Sequence, residues 1–213
     1  TYVLSDSLMD ELSPAARIIW HDLRMEMNIG QYLDVLGSAR RTRDVHEAEL
    51  ICRMKSAKYT VERPLHLGAV VADAQRGDAL MPMFSTYGLA VGDAFQMRDD
   101  ILGVFGDPKE TGKPAGDDLR EGKRTALLAV AQERANALQS TQLKKQIGDP
   151  NLTPSMISDL QQIITDTGAT SHIEMMIEEL TSTSLTALKH DGISLDGKKL
   201  LTELAILATN RKI

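Results

Sequence analysis

The sequence predicts an all-α protein, and three observations carry that reading. Apolar residues recur three and four apart along almost the whole chain. No stretch alternates apolar and polar residues over the length of a strand; YTVERPL comes nearest, but it is short and contains Pro64. Helix-start signals, a hydroxyl residue followed by proline, stand at Ser13 with Pro14 and at Thr153 with Pro154. The 213 residues suffice for one domain with a sizeable core, or two small ones, and 42% are hydrophobic while only 4% are aromatic. Ten methionines fit helices packed through aliphatic side chains.

The elements follow in order. Ser13 caps a helix that carries Ile18, Met25, Ile29, Leu33 and Leu36 at helical spacing and ends near Gly37. A second helix runs from about Arg43 to Tyr59 and stops near Pro64. LHLGAVVADAQ predicts a short buried helix closed by Gly77 and Asp78, and Pro82 opens the next, which runs through MFSTYGLAVGDAFQMRDDILGVF until Gly106, Asp107 and Pro108 stop it. Within it, Gly88 and Gly92 predict a close helix contact or room for a ligand chain. Thr125 starts a helix through LLAVAQERANAL, Thr153 starts another, and Ser171 with Glu174 fits a capping box ahead of IEMMIEELTSTSLTALK. Gly192 to Gly197 make a turn before the last helix.

A net charge of −6 argues against a nucleic-acid surface. The single cysteine, Cys52, cannot close an internal disulfide, which points to a reducing compartment. No apolar run is long enough for a bilayer span, and TYVLSDSLMDELSP has neither the basic start nor the cleavage site of a signal peptide. It reads as the interior of a longer protein. The expectation is a cytoplasmic protein without stable membrane insertion.

Residues 95–125, FQMRDDILGVFGDPKETGKPAGDDLREGKRT, stand apart in gathering acids, lysines and glycines. On a helix Gln96, Asp99, Asp100 and Gly103 share one face. Adjacent carboxylates there repel each other unless a cation lies between them and a partner. Magnesium suits the position, being a hard cation that joins one or two carboxylates to substrate phosphates. Lys113, Lys123 and Arg124 follow in a loop where Gly112 and Gly122 allow close backbone approach, a pattern suited to phosphate oxygens. The plain alternative is a solvated helix end.

This stretch resembles the second aspartate-rich region of the polyprenyl synthetase family, the trans-isoprenyl diphosphate synthases. The family's pattern falls here on Phe95, Gln96, Asp99, Asp100, Gly112, Lys113, Asp118, Gly122, Lys123 and Thr125. The last aspartate of its Asp-Asp-x-x-Asp motif is Gly103 here; Asp107, one turn on, either substitutes for it or caps the turn before Pro108, and the turn role is favoured. RMKSAKYTVERPL resembles the family's lysine–threonine segment, with Lys55, Ser56 and Tyr59 in the matching places; without the family, Lys55 and Lys58 read as cations favouring a helix C-terminus. NIGQYLDVLG resembles its glycine–glutamine–x–x–aspartate segment, with Gln31 and Asp34 on one helix face.

The resemblance implies an orthogonal helical bundle of the isoprenoid synthase type, with residues 1–213 as the C-terminal part of one polyprenyl synthetase domain and the N-terminal helices missing. It implies a prenyltransferase that joins an allylic diphosphate to isopentenyl diphosphate, giving a short-chain product of farnesyl or geranylgeranyl size. Magnesium, with manganese as a substitute, would be held by Asp99 and Asp100; Asp99, Asp100 and Lys55 would be catalytic. Gln31, Asp34, Lys55, Ser56, Tyr59, Phe95, Gln96, Lys113 and Lys123 would bind substrate. A homodimer is expected. The family's first aspartate motif, its arginine pair and its isopentenyl diphosphate segment have no match in this sequence. Two other classes stay open: a non-catalytic prenyltransferase-like regulatory subunit, and an all-α phosphohydrolase. The pairs His21 with Asp22 and His190 with Asp191 suggest the latter, for which converging histidines would be the sign.

Overall fold

The computed structural model describes residues 2–9, 11–40, 45–112, 114–123 and 125–210. Among them there is no strand, and twelve α-helices and one π-helix follow in order: α1 Tyr2–Met9, α2 Pro14–Arg40, α3 Val45–Cys52, the π-helix Arg53–Glu62, α4 Arg63–Ala72, α5 Ala74–Phe105, α6 Pro108–Thr111, α7 Asp117–Glu121, α8 Ala126–Arg134, α9 Ala137–Gln146, α10 Pro154–Asp166, α11 Ala169–Ala187 and α12 Leu195–Thr209. Among the described residues no helix is long and apolar enough to cross a membrane.

Helix α5 is the spine. The π-helix, α4 and α11 pack most extensively against it, and α12, α7 and α8 complete its contacts. Its C-terminal half, through Ala94, Met97, Ile101 and Val104, enters the largest core with Leu127 and Leu128 of α8, Leu160 and Ile164 of α10, and Ile173 and Ile177 of α11. Its N-terminal half places Met83, Tyr87 and Val91 against Leu188 and Ala205. The buried Tyr87 hydroxyl donates to the Leu201 carbonyl at 2.6 Å, so the polar end of a large apolar side chain is satisfied. Behind the turn that carries the aspartates, buried Arg98 donates to both carboxylate oxygens of Glu174, at 2.6 and 2.7 Å, and to the Thr209 carbonyl at 2.9 Å.

Several start signals act as expected. Ser13 Oγ accepts from the Ala16 amide at 3.3 Å, Thr125 Oγ1 from Leu128 at 3.2 Å, and Thr153 Oγ1 from Met156 at 3.3 Å. Asp107 takes the turn role: its Oδ1 accepts from the Lys109 amide at 2.9 Å and caps α6.

Other expectations are corrected. The helical run does not stop at Pro64, but its register changes there: the π-helix ends at Glu62 and α4 begins at Arg63, and the proline has no N–H with which to extend the π ladder. YTVERPL is helical, with Tyr59 to Glu62 in the π-helix and Arg63 to Leu65 in α4. Pro82 lies inside α5, which began eight residues earlier; the packing of Met83 and Tyr87 holds the helix across the lost hydrogen bond. Gly77 is not a stop either. A Cβ there would lie 2.7 Å from the Ala69 carbonyl, so the glycine lets α5 turn back tightly on α4. The helix begun at Thr125 breaks at Ala135, where ψ is 139°, because Asn136 and Gln139 form a capping box that starts α9 anew. Ser171 lies within α11, which starts after the left-handed Gly168, and Glu174 is occupied by Arg98. Gly197 lies within α12, whose cap is Ser194.

The π-helix fits tightly against both of its neighbours. A Cβ at Gly92 would lie 2.6 Å from the Cβ of Ala57, one at Gly88 2.7 Å from the Cα of Glu62, and one at Gly30 of α2 2.9 Å from the Lys55 nitrogen. Alanine at Gly92 is therefore expected to lower stability by about 1–3 kcal/mol, the usual cost of overpacking. Alanine at Gly68, where a Cβ meets nothing within 4 Å, is expected to raise it by about 0.5–1 kcal/mol through helix propensity. Urea denaturation of both variants beside the parent checks the two signs.

Candidate active site

Residues of α2, α3, the π-helix, α5, α7 and α8 meet at a cleft of about 450 Å³. Helix α2 brings Asp34, the π-helix Lys55 and Ser56, the C-terminal half of α5 Gln96, Asp99 and Asp100, and the loop after α7 Lys123. Residues scattered over about ninety positions thus share one space because the π-helix packs against both α2 and α5.

A chain of hydrogen bonds ties two of the walls. Ser56 Oγ donates to Gln96 Oε1 at 2.6 Å, and Gln96 Nε2 donates to Asp100 Oδ1 at 2.9 Å. Asp100 is buried, whereas Asp99 is half-buried beside it. Burial pushes the Asp100 carboxyl up to about 7; the Gln96 amide opposes that rise, and Asp118 and Asp99 add to it by repulsion.

Both described lysines of the cleft rest on carboxylates. Lys55 Nζ lies 2.6 Å from Asp34 Oδ2, and Lys123 pairs with the buried Asp118. Burial works against the charge on Lys123, but Asp118 outweighs it and holds the ammonium above the ordinary lysine value. Cys52 also lines the cleft. Desolvation, with Asp93 beside it, pushes its thiol well above its ordinary value, so it forms neutral wall rather than a nucleophile.

Gly103 has a steric reason. A Cβ there would run into the Asp118 carboxylate, with Oδ1 at 2.8 Å and the rest of the group closer still. Asp118 reaches across from α7 and fills the space beside α5 where a third motif side chain would start.

Of the residues proposed from sequence, the structure brings together Asp34, Lys55, Ser56, Gln96, Asp99, Asp100 and Lys123. It does not bring Gln31, Tyr59 or Phe95 into the cleft wall: Gln31 is exposed on α2, Tyr59 lies one turn further along the π-helix and is exposed, and Phe95 is half-buried. Lys113 and Arg124 lie outside the described residues. The sequence reading gave no role to Glu121 or to Cys52 as part of a site, though both line the cleft, and it placed Asp118 in the family's pattern without assigning it the anchoring of Lys123. No histidine lines this cleft, so the feature expected of a phosphohydrolase is missing from it.

The donor set fits magnesium. Among the described residues no three His, Cys, Asp or Glu side chains converge on one point, which rules out a cage built wholly from these side chains. Two oxygen-bearing side chains at the edge of an open cleft, facing ammonium groups, match a cation that keeps its waters and shares its coordination with phosphate.

An all-α bundle with this cleft is the architecture of the polyprenyl synthetases, and the chain belongs to that family, matching it over residues 2–165. The geranylfarnesyl diphosphate synthase of Aeropyrum pernix is 37% identical over 150 residues, covering 70% of this chain and 45% of the relative. The farnesyl diphosphate synthase of Escherichia coli is 32% identical over 174 residues, covering 76% and 57%. Among solved structures, the geranylgeranyl pyrophosphate synthase of Corynebacterium glutamicum, complexed with isoprenyl diphosphate and magnesium, superposes with a TM-score of 0.89 at 40% identity, over 99% of this chain and 61% of that one. The chain thus spans about half the length of these curated relatives.

Two outcomes test the site. The folded state holds a proton on Asp100 that the unfolded chain releases above about pH 4. This group's contribution to stability is therefore full at low pH and is lost as pH rises through about 7. Relative to the parent, Asp100→Asn should gain stability steadily from pH 4 to 7 and no further above it, read by denaturant titrations across that range. Gly103→Asp, which restores the family's third acid, should instead destabilise by about 1–3 kcal/mol through overpacking, because it displaces Asp118 from Lys123; thermal melting of the variant checks this.

Proposed function

We propose that the cleft binds the diphosphate of an allylic substrate, and that the protein to which this chain belongs condenses it with isopentenyl diphosphate. The observation that carries this reading is the meeting of Asp99 and Asp100 with Lys55, Ser56 and Lys123 across one cleft, in a chain of the polyprenyl synthetase family. A short-chain product of farnesyl or geranylgeranyl size fits the names of the relatives, which include farnesyl and geranylgeranyl synthases. A homodimer is the assembly we propose.

Asp99, half-buried in the cleft wall, would hold the metal together with Asp100, which is buried and accepts from Gln96. When bound, magnesium supplies positive charge against the diphosphate oxygens. Lys55 and Lys123 leave or share their carboxylate partners and take up phosphate oxygens, while the Ser56 hydroxyl, whose one O–H donates to Gln96, turns to donate to a phosphate oxygen instead. As the carbon–oxygen bond of the allylic diphosphate breaks, its electron pair leaves with the diphosphate, and these fixed donors stabilise that growing charge. The double bond of isopentenyl diphosphate forms the new carbon–carbon bond to the allylic carbon, and the proton lost in restoring a double bond goes to the released diphosphate. Ala48, Ile51 and Ala126 line the same cleft with apolar surface, which keeps water from the cation. A second carboxylate cluster facing Asp99 is implied by the family resemblance and corresponds to no residues of this sequence.

The test is calorimetric binding of a non-ionisable allylic diphosphate analogue to this chain, with and without magnesium. Binding should need magnesium and should weaken at least about tenfold (about 1.4 kcal/mol) in the Asp99→Asn/Asp100→Asn double variant. Equal binding by parent and double variant would overturn the assignment.

A further inference from the structure

The π-helix is unusual in its length. Such helices appear mostly as single-turn bulges within α-helices, yet here the π pattern holds over ten residues, Arg53–Glu62, between α3 and α4. It runs on without a break from α3 and into α4: Cys52 and Arg63 at its two ends both have right-handed helical backbone.

One side chain is placed to hold it. Glu26, on α2, accepts from Lys58 Nζ at 2.7 Å and from Arg63 through Nε at 2.8 Å and Nη2 at 2.6 Å. Lys58 and Arg63 are five residues apart. They are also the two residues joined by a main-chain π hydrogen bond, from the Arg63 amide to the Lys58 carbonyl. In a π-helix that spacing stacks the two side chains on one side. In an α-helix they would lie about 140° apart and could not share a carboxylate. Glu26, Lys58 and Arg63 are all only 16–17% exposed, so the clamp works in surroundings where an ion pair is strongly coupled.

The same segment carries the cleft residues. Lys55 reaches back to Asp34 on α2, and Ser56 reaches forward to Gln96 on α5. If residues 53–62 relaxed to an α-helix, Lys55 and Ser56 would turn away from those partners. Glu26 touches neither of them and lines no part of the cleft.

We propose that Glu26 is a positioning residue: by gripping Lys58 and Arg63 one π turn apart, it fixes the register that presents Lys55 and Ser56 to the diphosphate cleft. The register lock stands on geometry alone; its consequence for ligand rests on the diphosphate reading above.

The experiment compares the 213-residue chain with Glu26→Ala, Glu26→Gln and Ile164→Ala. Ile164 of α10 is buried in the core that α8, α10 and α11 share with α5, and its variant serves as a control that loses stability with Glu26, Lys58 and Arg63 unchanged. Two readouts are taken: the affinity for inorganic pyrophosphate with magnesium, and the side-chain 13Cε signal of Lys55, assigned with Lys55→Arg and calibrated with Asp34→Asn. Glu26→Ala should weaken pyrophosphate binding tenfold or more and move the Lys55 signal toward its position in Asp34→Asn. Glu26→Gln, which can still accept from one partner, should recover part of both effects, and Ile164→Ala should change neither. A Glu26→Ala chain that melts lower but keeps the Lys55 signal and affinity of the parent would overturn the proposal. Should Glu26→Ala fail to fold, Glu26→Gln decides by the same two readouts. Absence of pyrophosphate binding by the parent would overturn the diphosphate reading alone, since the Lys55 signal still reports on the lock.

Discussion

The near-contact between the π-helix and the two helices that flank it is the constraint on which the rest of the site depends. A π-helix is wider than an α-helix, so it needs room on both sides. Gly30 makes that room on α2, and Gly88 and Gly92 make it on α5. Backbone at this distance leaves no slack for sliding or rolling, because displaced atoms would meet main chain rather than the yielding end of a side chain. The cleft inherits this precision. Lys55 and the Ser56 hydroxyl come from the π-helix and Asp99 and Asp100 from α5, and the Ser56–Gln96–Asp100 chain crosses the join.

The electrostatics of the cleft are balanced internally. Each described lysine of the cleft has a carboxylate beside it, and the two neighbouring aspartates differ in exposure, with the buried Asp100 carboxyl pushed up to about 7. Asp118 has a double part. It anchors Lys123, and it occupies the space beside Gly103. What reads in the sequence as a lost acid is a place where another acid already sits, brought by a different helix.

Much of this was legible in the sequence, for local reasons. The helical class followed from periodicity, and the caps at Ser13, Thr125 and Thr153 are chemical signals that need no tertiary context. The core of the candidate site, Lys55, Ser56, Gln96, Asp99, Asp100 and Lys123, was legible through the resemblance of its segments to the family's motifs; from the residues alone, the acid, lysine and glycine stretch around Asp99, Asp100 and Lys123 stood out. The misses share a cause. Pro64, Pro82 and Gly77 were read as breaks from their intrinsic preferences; tertiary packing overrode Pro82 and Gly77, and at Pro64 the register changes while the helical run goes on. The π-helix had no sequence signature, since a one-residue change in hydrogen-bond step leaves residue types unaltered. Gln31, Tyr59 and Phe95 fell outside the cleft wall because membership there depends on angular setting, which the long helices and the π register decide.

Arg98 shows what such an angular setting requires. A helix held only by apolar side chains meets a nearly isotropic surface and can rotate about its own axis at small cost. Arg98, on the far side of α5 from Asp100, meets Glu174 of α11 and the Thr209 carbonyl at the end of α12 through bonds that have direction as well as length. It acts as a key in a shaft, so that the aim of the two aspartates is set by helices more than seventy residues further along the chain, none of which faces the cleft.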